Sequence, residues 1–308
     1  MMMPAASLRA LLSRTIDYAG LFPPANLSLE QSLRNHAQYV RDPDVWMLGA
    51  FILPVAEFDV ASPWLNEFDR EHPVRISALG PRTENSGGFL DSLSGAQSAI
   101  DAFQSRFAGM ASIEQLEMPL PPDVSADVLA SSCDALKHTN VKVFWEAPAK
   151  LARRAIGLIA ENNKTNQGRG FGFKLRTGGV TAEAFPSSDS LAAVLFAAVN
   201  DAVPIKFTAG LHHPVRMFHE SVQTKMHGFL NVLGAGVLAR AYRWSESQIT
   251  KMLDDEDPAS FRFTGDAFAW REWKISPEEI AKFRDSICSF GSCSFDEPRE
   301  DLRALNLL

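Results

Sequence analysis

Two lysines stand at matching points of two successive segments, Phe171-Gly-Phe-Lys174-Leu-Arg-Thr-Gly178-Gly179 and Val203-Pro-Ile-Lys206-Phe-Thr-Ala-Gly210-Leu-His-His213. Each closes an apolar run and is followed within a few residues by glycine. That spacing places each ammonium near the carboxyl end of a buried strand. Burial disfavours the charged form, lowers the pKa of a lysine and exposes a nucleophilic amine. Two such lysines, one strand-helix unit apart, suit an amine that attacks a carbonyl and a neighbour that keeps it unprotonated. Binding of an anion, or pairing with buried carboxylates, is the alternative use of the same two residues.

The elements that must position them follow a regular alternation. Apolar runs of strand length fall near Arg14–Tyr18, Trp46–Leu53, Val74–Leu79, Glu114–Met118, Val141–Trp145, Gly172–Leu175, Pro204–Phe207 and Phe229–Leu233. Helical patterns separate them, for example over Leu27–Val40, Phe89–Phe107, Val124–Leu136, Ala149–Asn162, Asp189–Ala198 and Val237–Trp244. Strands that are apolar throughout and alternate with helices imply a parallel sheet covered by helices. Eight such units predict an α/β fold, a closed (β/α)8 TIM barrel over residues 1–245, with an open doubly wound sheet as the competing architecture. Residues 246–308 change character: Asp254-Asp-Glu-Asp257, a Trp270/Trp273 pair and a helix from Pro277 capped by Ser276 read as a C-terminal extension packed on the barrel. Gly80–Gly88 reads as a flexible loop.

In a barrel the polar residues at strand ends converge. These are Asp17 and Tyr18 at the first strand, Glu117 at the fourth, Glu146 at the fifth, Lys174 and Arg176 at the sixth, Lys206 and Thr208 at the seventh, and Asn231 in the eighth. Lys174, Lys206, Glu146 and Glu117 form the expected catalytic group. Asp17, Arg176, Thr208, His212, His213 and Asn231 form the expected substrate contacts. An arginine at 176 suits bidentate binding of a carboxylate or phosphate, or an ion pair with Glu146 or Glu117.

The order Val141-Lys-Val-Phe-Trp-Glu146, Phe173-Lys174-Leu-Arg-Thr-Gly178 and Ile205-Lys206-Phe-Thr-Ala-Gly210 resembles the class I deoxyribose-phosphate aldolase family over roughly residues 141 to 216. The resemblance implies that Lys174 is a Schiff-base lysine and that Lys206 is the second lysine, which depresses the pKa of the first. Glu117 stands where the family places an aspartate. Gly210-Leu-His-His213 replaces the family's glycine pair. The glycine- and serine-containing phosphate cradle expected after the eighth strand is not evident in Asn231-Val-Leu-Gly-Ala-Gly236.

Four of the seven histidines, His212, His213, His219 and His227, follow the seventh strand, where imidazoles serve as acid, base or metal ligands. No His-Glu-x-x-His or paired Cys-x-x-Cys spacing accompanies them, so no metal and no cofactor are expected. Cys133, Cys288 and Cys293 are too few for a disulfide framework. A net charge of -7 without a basic run excludes nucleic acid as the main partner. No stretch approaches the roughly eighteen apolar residues that cross a bilayer, and no secretory signal is evident at the start, so a cytoplasmic setting is the default. The expected activity is that of a Schiff-base-forming lyase acting on a small carbonyl compound, carboxylated or phosphorylated, in a possible homo-oligomer. A metal-dependent hydrolase or isomerase built on His212 and His213, and a non-catalytic binding barrel, are the other classes.

Overall fold

The computed structural model describes residues 3–165 and 170–308. Eight parallel strands form its centre: β1 (Ile16–Tyr18), β2 (Leu48–Pro54), β3 (Val74–Leu79), β4 (Ala111–Pro119), β5 (Lys142–Glu146), β6 (Gly172–Arg176), β7 (Ile205–Thr208) and β8 (Ile287–Ser292). Sequential strands are hydrogen-bonded neighbours, and β8 closes the barrel against β1, with Ile16 opposite Phe290 and Tyr18 opposite Ser292. The fold is the expected (β/α)8 barrel, and seven of its strands lie where the apolar runs place them.

The covering helices start at side-chain caps readable in the sequence. Ser28, Asn85, Ser125 and Ser187 each accept a backbone N–H of the first turn, opening the helices Leu29–Tyr39, Ser86–Arg106, Ala126–Ala135 and Ser188–Asn200. A cap of this kind satisfies donors that have no partner inside the helix and is worth about 1 kcal/mol. Asn85 thus turns the second half of Gly80–Gly88, expected as a loop, into a helix start.

The eighth strand differs from expectation. Phe229–Leu233 belongs to the helix Phe229–Tyr242, and every residue from Phe229 to Ala239 is buried. A helix apolar on all sides carries no amphipathic period, so a short window of it reads as a buried strand. Two glycines explain how it fits so tightly: a Cβ at Gly234 would meet Met252 at 2.5 Å, and one at Gly236 would meet Ile287 at 2.9 Å. Phe229 stacks on Phe290 of β8 at 5.1 Å between ring centroids.

The division into a barrel ending at 245 and an extension over 246–308 is therefore corrected. The later stretch supplies β8 and the helix Asp296–Ala304 behind it. The helices Glu246–Leu253 and Pro277–Phe283 and a three-stranded sheet (Phe261–Phe263, Phe268–Trp270, Trp273–Ile275) come before that strand. Capping boxes at Ser245 and Ser276 start the two helices, and Trp244 packs edge-on against Trp270 and Trp273. A chain ended at residue 245 would leave β1 and β7 as open edges. Such a fragment is expected to show no cooperative thermal or denaturant transition where the full chain shows one; a cooperative transition in the fragment would contradict this architecture.

Candidate active site

Strand alternation aims one set of side chains into the barrel. In β6, Phe173 and Leu175 pack outward and Lys174 points in. Gly172 also lies on the inner face, where a Cβ would strike the Phe144 ring at 2.5 Å. Asp17 from β1, Ser77 from β3, Gln115 and Glu117 from β4, Lys206 from β7 and Ser289 from β8 share that interior. Gly49 of β2 leaves the room Asp17 needs, since a Cβ there would lie 2.2 Å from Oδ1 of Asp17. Strand register sets Glu146 beside Lys174 and Lys174 beside Lys206.

The two lysines do not face each other bare. Both hold the carboxylate of Glu117: Lys206 Nζ donates to Oε1 at 2.5 Å and Lys174 Nζ binds Oε2. Lys174 also meets Oε2 of Glu146 at 2.9 Å, and Lys206 meets Oδ2 of Asp17 at 2.8 Å and Oε1 of Gln115 at 2.6 Å. Hydroxyls complete the shell, Ser77 donating to Glu117 and Ser289 to Asp17, each at 2.6 Å. The backbone N–H of Ala50 takes the other oxygen of Asp17 at 2.7 Å. The five ionisable members are 0 to 5% exposed. Charges this deeply buried persist only when paired and hydrogen-bonded, which each of them is.

The electrostatics set the charge of Lys206, and they leave its expected role toward Lys174 untouched. Burial works to discharge it, but Asp17 and Glu117 outweigh burial and raise its pKa above the ordinary lysine value. Burial likewise favours a neutral Glu117, and Lys174 and Lys206 overcome it, holding that carboxyl down to about 2. Lys206 is thus a fixed ammonium and Glu117 a fixed carboxylate. The ring of Phe144 lies 5.3 Å from Lys206 Nζ, adding a further contact favourable to the cation.

A cavity of about 630 Å³ opens above this network at the carboxyl ends of the strands. Lys174 and Arg176 line it, as do Thr208, His212, Gly291 and Cys293, among otherwise mostly apolar walls that include the Phe22-Pro23-Pro24 turn. Lys206 does not line it. Tyr18 is buried against Tyr39 and Phe51 and accepts a hydrogen bond from Asn35, an anchoring role.

The histidines part company. His212 lines the cavity, 3.1 Å from Oε2 of Glu297 and 3.9 Å from Sγ of Cys293. Burial opposes its charge, yet Cys293 and Glu297 push its pKa up to about 9. His213 does not line the cavity: it pairs with Asp301 at 2.7 Å and stacks on His219 at 5.2 Å between centroids. Asn231 is not at a strand end either. It sits on the buried helix, donating to the carbonyls of Met252 and Asp255 and accepting the backbone N–H of Arg216, a structural brace. Among the described residues, no group of three or more His, Cys, Asp or Glu is placed to hold a metal ion.

The true end of β8 also changes the reading of the phosphate cradle. Gly291-Ser-Cys-Ser294 does carry glycine and serine, but Ser294 Oγ already accepts the N–H groups of Asp296 and Glu297 at the start of the last helix, whose first turn carries two acids. Cys288 and Cys293 lie near opposite ends of β8 and its exit, so they form no redox pair. Residues not anticipated from the sequence are Ser77, Gln115, Arg82, Ser289 and Cys293. Gln115 was accessible, two places before Glu117 on the same strand face; Ser289 and Cys293 were hidden by the misplaced eighth strand.

No protein-family model matches this chain, and no curated protein matches it. Among solved structures it is similar to the deoxyribose phosphate aldolase of Aeropyrum pernix, described as a tetramer, at 14% identity over 68% of this chain and 85% of that one, TM-score 0.44. A putative deoxyribose-phosphate aldolase from Toxoplasma gondii aligns at 11% identity over 97% and 93% of the two chains, TM-score 0.39. A putative dihydrodipicolinate synthase family protein from Coccidioides immitis aligns at 12% identity over 99% and 97%, TM-score 0.36.

Removing the bridging carboxylate leaves two buried ammonium groups sharing too few acids. Glu117→Gln is expected to lower stability by about 3–5 kcal/mol, the usual penalty for breaking a buried pair, read from the denaturant midpoint. A loss below about 1 kcal/mol, the size of an exposed pair, would contradict the bridge.

Proposed function

We propose that the chain is a Schiff-base-forming lyase of the aldolase type, acting on a small carbonyl compound without a resident cofactor. The observation that carries this reading is that Lys174 alone of the two buried lysines reaches the cavity, with a carboxylate on either side of its amine. Glu117 is held ionised by both lysines; Glu146, in contact with Lys174, is the proton carrier in this scheme.

Lys174 passes a proton to Glu146, and the free amine adds to the substrate carbonyl. The N–C bond forms as the C=O pair moves to oxygen, which takes one N–H proton. Glu146 then returns its proton to that hydroxyl, water leaves, and a protonated imine remains on Lys174. When the bond between the α and β carbons breaks, its electron pair is drawn toward the positive nitrogen and leaves an enamine, while the β-hydroxyl gives its proton to Glu146, again a carboxylate, and becomes the carbonyl of the released fragment; bond formation is the reverse. Lys206 and Asp17 fix the position and charge of Glu117 throughout. His212, kept cationic, and Thr208 contact the substrate, while the apolar walls exclude water from the imine. A cytoplasmic setting and self-association belong to the same reading.

Borohydride added with simple aldehydes or keto acids is expected to leave a secondary-amine adduct on Lys174, located by peptide mass mapping. Lys174→Ala is expected to lose the adduct and to lower turnover by more than about ten-thousandfold, beyond the usual range of one proton-transfer group. An adduct on another lysine, or full turnover without Lys174, removes the proposal.

A further inference from the structure

Lys174 lines a second cavity as well. This chamber, of about 560 Å³, lies between the ends of β2 to β5 and the helix Ser86–Arg106, and shares Phe22, Leu79, Lys174 and Arg176 with the first. Its size is within the range of small-molecule sites. Lys174 and its proton partner Glu146 both face it, but the chemistry described so far places no substrate there.

Charge is the first sign of what it holds. Lys174, Arg82 and Arg176 line the chamber against one carboxylate, Glu146. Arg82 reaches Oε1 of Glu146 at 2.7 Å and Arg176 reaches the same oxygen at 3.9 Å, while Lys174 takes Oε2. The two guanidinium side chains are 68% and 51% exposed, so most of their ten N–H donors remain available. Two forks converging on one oxygen leave a second carboxylate well provided for, since guanidinium matches carboxylate geometry bidentately. The remaining walls, among them Pro54, Val55, Pro81 and Pro119, are chiefly apolar.

The second sign is Gly95. It lies in the middle of the helix Ser86–Arg106, where glycine costs about 1 kcal/mol relative to alanine. Close packing does not demand it, because no atom lies within 4 Å of a Cβ built there. Gly95 is exposed and borders the chamber, so a side chain at that position would stand at its rim.

We propose that this second chamber binds a carboxylate-bearing molecule with a short apolar body, its carboxylate gripped by Arg82 and Arg176 beside the amine of Lys174. Under the Schiff-base reading, on which only this clause rests, the two chambers hold the two partners of the carbon–carbon bond on either side of one lysine. The binding itself is independent of that chemistry.

The test is calorimetric titration of the full chain with butyrate and with its neutral isostere butyramide, without borohydride. Wild type is expected to bind butyrate and to bind butyramide at least about tenfold more weakly, a difference of about 1.4 kcal/mol. Arg82→Gln is expected to weaken butyrate by a similar factor. Gly95→Leu, which improves helix propensity and should melt no lower than wild type, is expected to weaken butyrate binding by narrowing the rim of the chamber. Equal binding of acid and amide, undiminished binding in both variants, or no butyrate binding by wild type overturns the proposal. Failure of borohydride trapping with butyrate behaving as expected would remove the Schiff-base reading and leave this one standing.

Discussion

One carboxylate between two ammonium groups organises the interior of this barrel. Glu117 accepts from Lys174 through one oxygen and from Lys206 through the other, and a shell of further polar side chains gathers round that arrangement. Asp17 balances Lys206, Glu146 balances Lys174, and Ser77, Ser289, Gln115 and the Ala50 N–H fill the remaining hydrogen-bonding capacity. A core of apolar side chains would be simpler to stabilise, because desolvating five charges is a large penalty that pairing only offsets. A network this complete suits a site in which one charge must be moved and the others must stay.

The asymmetry between the lysines follows from position. Lys206 and Lys174 are register partners on adjacent strands, yet Lys206 is enclosed by Asp17, Glu117, Gln115 and the Phe144 ring, whereas Lys174 borders two cavities. The enclosed amine has no route to a substrate and is locked in its charged form. The exposed edge of the network is the single amine a ligand can meet. Arg82, in the segment after β3, borders only the second cavity and Pro23 and Pro24 only the first, while Arg176, at the end of β6, and Phe22 border both.

Much of this was legible in the sequence, for a physical reason. Buried parallel strands announce themselves as short apolar runs, so a lysine or glutamate at the end of one stands out, and Asp17, Glu117, Glu146, Lys174 and Lys206 were all recognised as converging. Pairing of the lysines with buried carboxylates was legible as their alternative use, but that a single carboxylate, Glu117, bridges both was not, because register between distant strands sets which oxygens meet which amines. The eighth strand was misplaced because the helix Phe229–Tyr242 is apolar all round and lacks a period, while Ile287–Ser292 mixes Cys, Ser and Gly with its apolar residues. That one error carried Asn231 into the site and kept Ser289 and Cys293 out of it. The second chamber could not be read at all, since its walls come singly from several strand ends, a turn and one helix face.

The charge state of Lys206 tests the central arrangement most directly. With 15N-labelled lysine, the Nζ resonance of Lys206, assigned by its loss in Lys206→Met, can be followed as pH rises. Enclosure by Asp17 and Glu117 requires it to stay protonated past the ordinary lysine value of about 10.4. Deprotonation well below that value, near pH ~8 as for a buried and unpaired lysine, would contradict the bridged network and the roles drawn from it.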